Sequence, residues 1–139
     1  MSASPDCIFC KLVAGQIPAT RVYEDEHTLA FMDLGQVNPG HVLVAVKKHA
    51  ANVFELEEAQ GEAVARAVLR ISRALKKAFA PEGLSIYQAN GKPAGQTVFH
   101  YHVHVLPRHA GDGMELVWPV KNPPREQLEE YARKIKEKL

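Results

Sequence analysis

The sequence predicts an α+β fold: an antiparallel sheet of about five strands with one long helix packed on it and a second helix near the C-terminus. Three observations predict it. Short segments of strand character come in consecutive groups rather than alternating with helices. The apolar spacing becomes helical at Val53 and again beyond Pro124. Clusters of Gly, Pro, Asn and Asp separate the segments.

Taken in order, residues 7–14 read as a short ordered entry, and Gly15-Gln16-Ile17-Pro18-Ala19 as a turn. Arg21–Glu24 and Thr28–Met32 read as two strands joined through Asp25-Glu26-His27. Asp33–Gly40 is a loop closed by Asn38-Pro39-Gly40. His41–Val46 follows as a third strand, apolar enough to be buried on both faces. Leu56, Ala63, Ala67, Ile71, Leu75 and Phe79 then recur at helical spacing, and Pro81-Glu82-Gly83 ends that helix. Leu84–Gln88 is a fourth strand, Asn90–Gly95 a loop, and Thr97–Leu106 a fifth strand. Asn122-Pro123-Pro124 opens a last helix in which Leu128, Tyr131, Ala132, Ile135 and Leu139 share a face. Glu129 with Arg133, and Glu130 with Lys134, stand four apart in the favourable order.

A chain of 139 residues with no repeat or linker fits a single domain, 1–139. With 46% hydrophobic and 24% charged residues it is neither disordered nor fibrous. Seventeen Lys and Arg against sixteen Asp and Glu leave +1, so nothing argues for a nucleic-acid partner. The longest apolar runs, such as Val42–Val46, are far shorter than the ~20 residues of a membrane span. Met1–Asp6 has neither the basic nor the apolar region of a signal peptide, so a cytoplasmic location is expected. There Cys7-x-x-Cys10 reads as either a redox dithiol or half of a zinc site, with a disulfide disfavoured.

The densest chemistry lies in Thr97–Arg108. Alternation along a strand puts His100, His102 and His104 on one face and Tyr101, Val103 and Val105 on the other, where the apolar set can meet the long helix. Successive imidazoles would stand about 6.5–7 Å apart along the backbone. Such a row can cradle a metal, or use one neutral imidazole as a nucleophile while its neighbours orient it or donate hydrogen bonds. It can also be a plain polar sheet face. Upstream, Asn90–Thr97 is a loop whose glycines permit close backbone approach to a ligand.

His100-Tyr101-His102-Val103-His104-Val105-Leu106 resembles the motif of the histidine triad (HIT) family, His-φ-His-φ-His-φ-φ with φ apolar, and the chain resembles its bacterial members. Ala94–Val98 and Pro107-Arg108 match its flanks. Cys7–Lys11, Gly15–Ala19, Phe31-Met32-Asp33 and Pro39–Val44 extend the resemblance across residues 7–108 and leave 109–139 as a tail. The resemblance implies hydrolysis or transfer at the α-phosphate of a purine nucleotide, an adenosine phosphoramidate or a dinucleoside polyphosphate. His102 would attack phosphorus and form a nucleotidyl-histidine, with His104 as acid or hydrogen-bond donor. It also implies phosphate contacts from Gln96 and Thr97, a ribose contact from Asp33, and apolar contacts to the base from Ile8, Phe9 and Phe31, residues that ordinary core packing would equally explain. Where many members place an amide two residues before the loop glycine, this chain has Ala89, and the amide falls at Asn90. Trp118-Pro119 is similar to aromatic tails that approach the site in phosphoramidase-like members. Packing on the sheet is its other reading.

By the same resemblance, Cys7 and Cys10 would be joined by His49 and His100 around a structural Zn²⁺, leaving His102 and His104 for chemistry. A homodimer sharing one sheet of ten or so strands is implied as well. Two other function classes stay open on sequence alone: a nucleotide-binding module acting through partners, and a metallohydrolase that uses the histidine row to activate water. His27 and His109 read as surface residues, and His41 as a structural residue where loop meets strand.

Overall fold

The computed structural model describes residues 4–139, so the first residues read for a targeting signal, Met1–Ala3, lie outside the described residues. The elements run α1 (Ile8–Val13), β1 (Arg21–Glu24), β2 (Thr28–Met32), β3 (Val42–Val46), α2 (Glu58–Phe79), β4 (Gly83–Tyr87), β5 (His102–Arg108) and α3 (Arg125–Lys136). The strands form one sheet in the order β1-β2-β3-β5-β4, and every neighbouring pair is antiparallel. This is the expected α+β arrangement. No described helix is long and apolar enough to cross a membrane.

β3 occupies the centre, and all five of its residues are buried. Alternation sorts them. Val42, Val44 and Val46 join Ala30, Val103 and Val105 against Val64, Ala67, Val68, Ile71 and Leu75 of α2. Leu43 and Ala45 face the other way, with Leu29 and Phe31, toward Phe9 and Leu12 of α1. No long helix among the described residues covers that second face; α1, with Ile17, Ala19 and Val98 beside it, leaves room for a site. Gly40 stands at φ +97°, where a Cβ would lie 3.0 Å from the Phe79 ring, so the end of α2 closes directly over the loop entering β3.

Four details differ from the sequence expectation. The long helix begins at Glu58, not Val53. Residues 53–55 form a separate 3₁₀ turn capped by Asn52, and Gln60 reaches back to the Glu57 N–H (2.9 Å) to start the helix. The entry segment is itself helical, over Ile8–Val13.

The fifth strand spans His102–Arg108 rather than 97–106. Residues 97–101 bend across the end of β3 instead of pairing along it. The Tyr101 N–H bonds the Ala50 carbonyl (2.7 Å), and the Tyr101 carbonyl accepts from the Val46 N–H (3.3 Å). The expected pairs Glu129–Arg133 and Glu130–Lys134 do not form. Arg133 pairs instead with Glu130 (2.7 Å) and Glu137, because its fork reaches one carboxylate on each side. Leu128, Tyr131 and Ile135 remain exposed on α3, and Trp118 is 70% exposed, against neither sheet nor site.

Candidate active site

The site lies on the face that α1 half covers. A pocket of about 550 Å³ opens there, with Ile8, Phe9, Phe31 and Val98 among its apolar walls and Asp33, Thr97, His102 and His104 bringing polar atoms. α1 sets one wall. Cys7 caps it by accepting the Cys10 N–H (3.4 Å), and Phe9 meets Phe31 and His102 edge to face at centroid distances of 5.3 and 5.0 Å. β5 sets the other, with the rings of His102 and His104 5.2 Å apart.

Hydrogen bonds assign each imidazole its tautomer, since a carbonyl oxygen only accepts. His102 donates from Nδ1 to the His100 carbonyl (2.6 Å), so its Nε2 carries the free lone pair. His100 donates from Nε2 to the Val46 carbonyl (2.6 Å), which turns its Nδ1 lone pair toward the cysteines.

His41 accepts the Val37 N–H at Nδ1 (3.4 Å) and therefore donates from Nε2 to His104 Nδ1 (2.9 Å). His104 is left with an Nε2–H to donate. Burial lowers the pKa of His102, and it is the main cause of the values of about 4 at His100 and His104. All three are neutral imidazoles at pH 7. Two neutral rings side by side, one with a lone pair and one with an N–H, can attack and protonate.

Asp33 approaches the same group. Its Oδ1 accepts the Gly35 N–H (2.9 Å), and Oδ2 lies 3.4 Å from His41 Nε2 and 3.9 Å from His104 Nδ1. Gln36 holds this loop, donating to the carbonyls of Asp33 (2.5 Å) and His41 (2.7 Å) while accepting the N–H groups of Gly40 and His41. Sequence reasoning missed Gln36 altogether and placed His41 as merely structural. The one signal for His41 was a polar ring at the head of an otherwise apolar strand.

Gln96 and Asn90 do not line the pocket. Gln96 is buried, with its amide bonded to Gly91 N–H (2.7 Å), the Ala51 carbonyl (2.6 Å) and the Val98 carbonyl (3.1 Å). Asn90 accepts the Val53 N–H (2.8 Å) and pairs with Gln88. Both tie the 88–98 loop together behind the site.

At the start of β5, Cys7, Cys10, His49 and His100 bring four donor atoms within 4.8 Å of one another. The separations are 3.2 Å for Cys7 Sγ to His100 Nδ1, 3.4 Å for Cys10 Sγ to His49 Nδ1, 3.5 Å for Cys10 Sγ to His100 Nδ1, and 3.2 Å for His49 Nδ1 to His100 Nδ1. A tetrahedral ion with ordinary sulfur and nitrogen bonds would space its donors by about 3.4–3.6 Å, so the set fits one. Burial pushes the Cys10 thiol pKa up, and a bound cation would reverse that. No described metal-competent group contains His102, so the triad does not itself form a cradle for one ion.

Comparison with known proteins agrees with this geometry. The HIT domain model matches residues 14–111. A Bacillus subtilis relative named Protein hit is 49% identical over 119 residues, covering 85% of this chain and 82% of that one. The adenosine 5′-monophosphoramidase of Schizosaccharomyces pombe is 35% identical over 134 residues, covering 96% and 97%. Among solved structures, a HIT family protein from Bacillus anthracis superposes with a TM-score of 0.94 at 39% identity over 99% of both chains. A zinc-bound histidine triad family protein from Mycobacterium smegmatis superposes at 0.74 with 33% identity, over 99% and 100%. With its ordered triad, its pocket and these relatives, the chain belongs to the HIT family.

Proposed function

We propose that the protein hydrolyses a nucleotidyl bond at the α-phosphate of a purine nucleotide, with adenosine 5′-phosphoramidate as the leading substrate class and dinucleoside polyphosphates as the other. The observation that carries this reading is the tautomer pair. His102 presents a lone pair and His104 an N–H on the same pocket wall.

His102 Nε2 attacks the α-phosphorus, and a P–N bond to the enzyme forms as the bond to the leaving amine or phosphate breaks. His104 Nε2–H gives its proton to the departing atom. Water then attacks the nucleotidyl-histidine and yields its proton to His104 while the P–Nε2 bond breaks, releasing the nucleoside monophosphate and restoring both rings. The His100 carbonyl takes part by holding the Nδ1–H of His102, which stabilises positive charge as the ring forms its bond to phosphorus.

Ile8, Phe9 and Phe31 form the slot for the base, Asp33 Oδ2 anchors the ribose, and Thr97 meets the phosphate. Gln96 and Asn90 act at a distance, by holding the loop that ends in Thr97. Zn²⁺ in the Cys7–Cys10–His49–His100 cluster supplies structural cross-linking, pinning α1 to the nucleophile strand. The fit of the four donors and the zinc-bound relative support that assignment. A homodimer formed through the unpaired edge of β4 accounts for exposed Ile86.

The test compares AMP release from adenosine 5′-phosphoramidate by wild type and His102→Ala at neutral pH. Turnover that disappears with the substitution supports the reading. A folded wild type that cleaves neither this nor a dinucleoside polyphosphate leaves a binding module instead.

A further inference from the structure

The structure assigns a second ion site, separate from the cysteine cluster: Asp33, His41 and His104 bind a divalent transition-metal ion on the pocket floor. Their donor atoms, Asp33 Oδ2, His41 Nε2 and His104 Nδ1, lie within 4.8 Å of one another. The pairwise separations are 2.9 Å between the rings and 3.4 and 3.9 Å from Asp33 to each. An ion with bonds of about 2.1 Å spaces its donors by about 3.0 Å at octahedral corners and about 3.4 Å at tetrahedral ones. The three separations straddle that range, and about half an ångström of adjustment at two of the pairs brings the triad to tetrahedral spacing.

The donors are also held from behind. Gly35 N–H fixes the other oxygen of Asp33, and Gln36 locks the loop that carries Asp33 and His41. His104 is set by its place on β5, opposite Leu43. Ion binding needs the lone pair of His41 Nε2, so the proton there moves to Nδ1, the long Val37 N–H contact (3.4 Å) is given up, and no proton is released. One carboxylate and two neutral imidazoles then give the site a charge of −1, which a dication neutralises and exceeds. Two nitrogens and one oxygen select ions such as Co²⁺, Ni²⁺ or Zn²⁺ over Mg²⁺ and Ca²⁺. Asp33 and His104 both line the pocket, so the remaining coordination positions open onto it.

A consequence rests on the nucleotidyl-transfer reading. The ion takes the Asp33 oxygen proposed for the ribose and the lone pair through which His41 fixes His104, so it inhibits turnover. The site itself does not depend on that reading.

Cobalt(II) is the probe. Titration of the full chain should show two classes of bound Co²⁺. One has sulfur-to-cobalt charge-transfer absorption, lost when both Cys7→Ser and Cys10→Ser are made. The other has visible d–d absorption without it. Asp33→Asn and His104→Gln, both at partly exposed side chains whose folding is checked by circular dichroism, should each weaken only the second class, by about tenfold or more. A single class with sulfur charge transfer, or a second class unchanged in both variants, overturns the site. Full binding with no cobalt inhibition of AMP release keeps the site and overturns the inhibitory consequence. Binding as expected in a protein with no nucleotide turnover keeps the site and sinks the nucleotidyl reading.

Discussion

On the face of the sheet that meets α2, β3 presents Val42, Val44 and Val46, and β5 adds Val103 and Val105, all but sealed from solvent. On the opposite face the same two strands present Leu43, Ala45, His102 and His104, under the thinner cover of the six-residue α1 with Ile17, Ala19 and Val98. Neighbouring residues of one strand thus serve opposite ends. The helix-covered side supplies rigidity through β-branched packing, and the thinly covered side spends that rigidity on holding imidazoles in fixed tautomers. The difference teaches that stability and chemistry in this chain separate by the parity of residue number along β3 and β5.

Substitutions that respect or cross this division should separate cleanly. His102→Ala should reduce AMP release by about a thousandfold or more while leaving the melting temperature close to wild type, which turnover assays and calorimetry on one preparation would show. A comparable loss of melting temperature would mean that the chemical face also carries the fold. Ile71→Ala on α2 should do the reverse, costing about 2–5 kcal/mol in denaturant unfolding with turnover per folded molecule unchanged.

Metal should act on the site face through α1. Zn²⁺ at a hundredfold excess over its Kd should stabilise the protein by about 2.7 kcal/mol, several degrees in melting temperature, and a chelator should reverse it. Slower amide exchange over Ile8–Val13 on zinc binding would locate the effect, and unchanged exchange there would contradict the pinning role. His41→Ala should lower kcat by about tenfold with little change in KM, because His104 loses the partner that fixes its tautomer. His41→Gln, whose amide can still donate, should recover part of it.

The smallest effect lies away from both faces. Arg108 holds the Asp112 carboxyl far below the usual carboxylate range, and Asn38 and the N–H groups of His109 and Met114 bond to it as well. Because the folded pKa is depressed, the contribution of this clamp is present above the unfolded value of about 4 and is lost only as pH falls through the depressed one. Amide protection around residues 109–114 should therefore survive at pH 3 in wild type. In Asp112→Asn it should already be weakened at pH 7.

Much of this was legible in the sequence, because period and punctuation are local signals. Arg21–Glu24 and Thr28–Met32 are strands over the predicted residues, and the stripe from Ala63 to Leu75 packs as its spacing implied. The four metal-competent residues Cys7, Cys10, His49 and His100 followed from resemblance, and the fold brings them together. What escaped depends on register and on backbone departures from regularity. The partner of His41 lies 63 residues away, and nothing in the sequence states how β3 aligns with β5. Strict alternation continues upstream through His100, so the pattern extends the strand to Thr97, although the backbone bends over residues 98–100. Gln96 looks like a ligand-facing amide in sequence. In the fold its three hydrogen bonds are all internal, to the Gly91 N–H and the carbonyls of Ala51 and Val98.

The central claim, covalent catalysis at His102, is tested most directly by the stereochemical course at phosphorus. A substrate chiral at its α-phosphorothioate would be hydrolysed in ¹⁸O-enriched water and the configuration of the product determined. Two successive in-line displacements, one by His102 and one by water, predict retention. Inversion would mean that water attacks phosphorus directly, and would contradict a nucleotidyl-histidine intermediate.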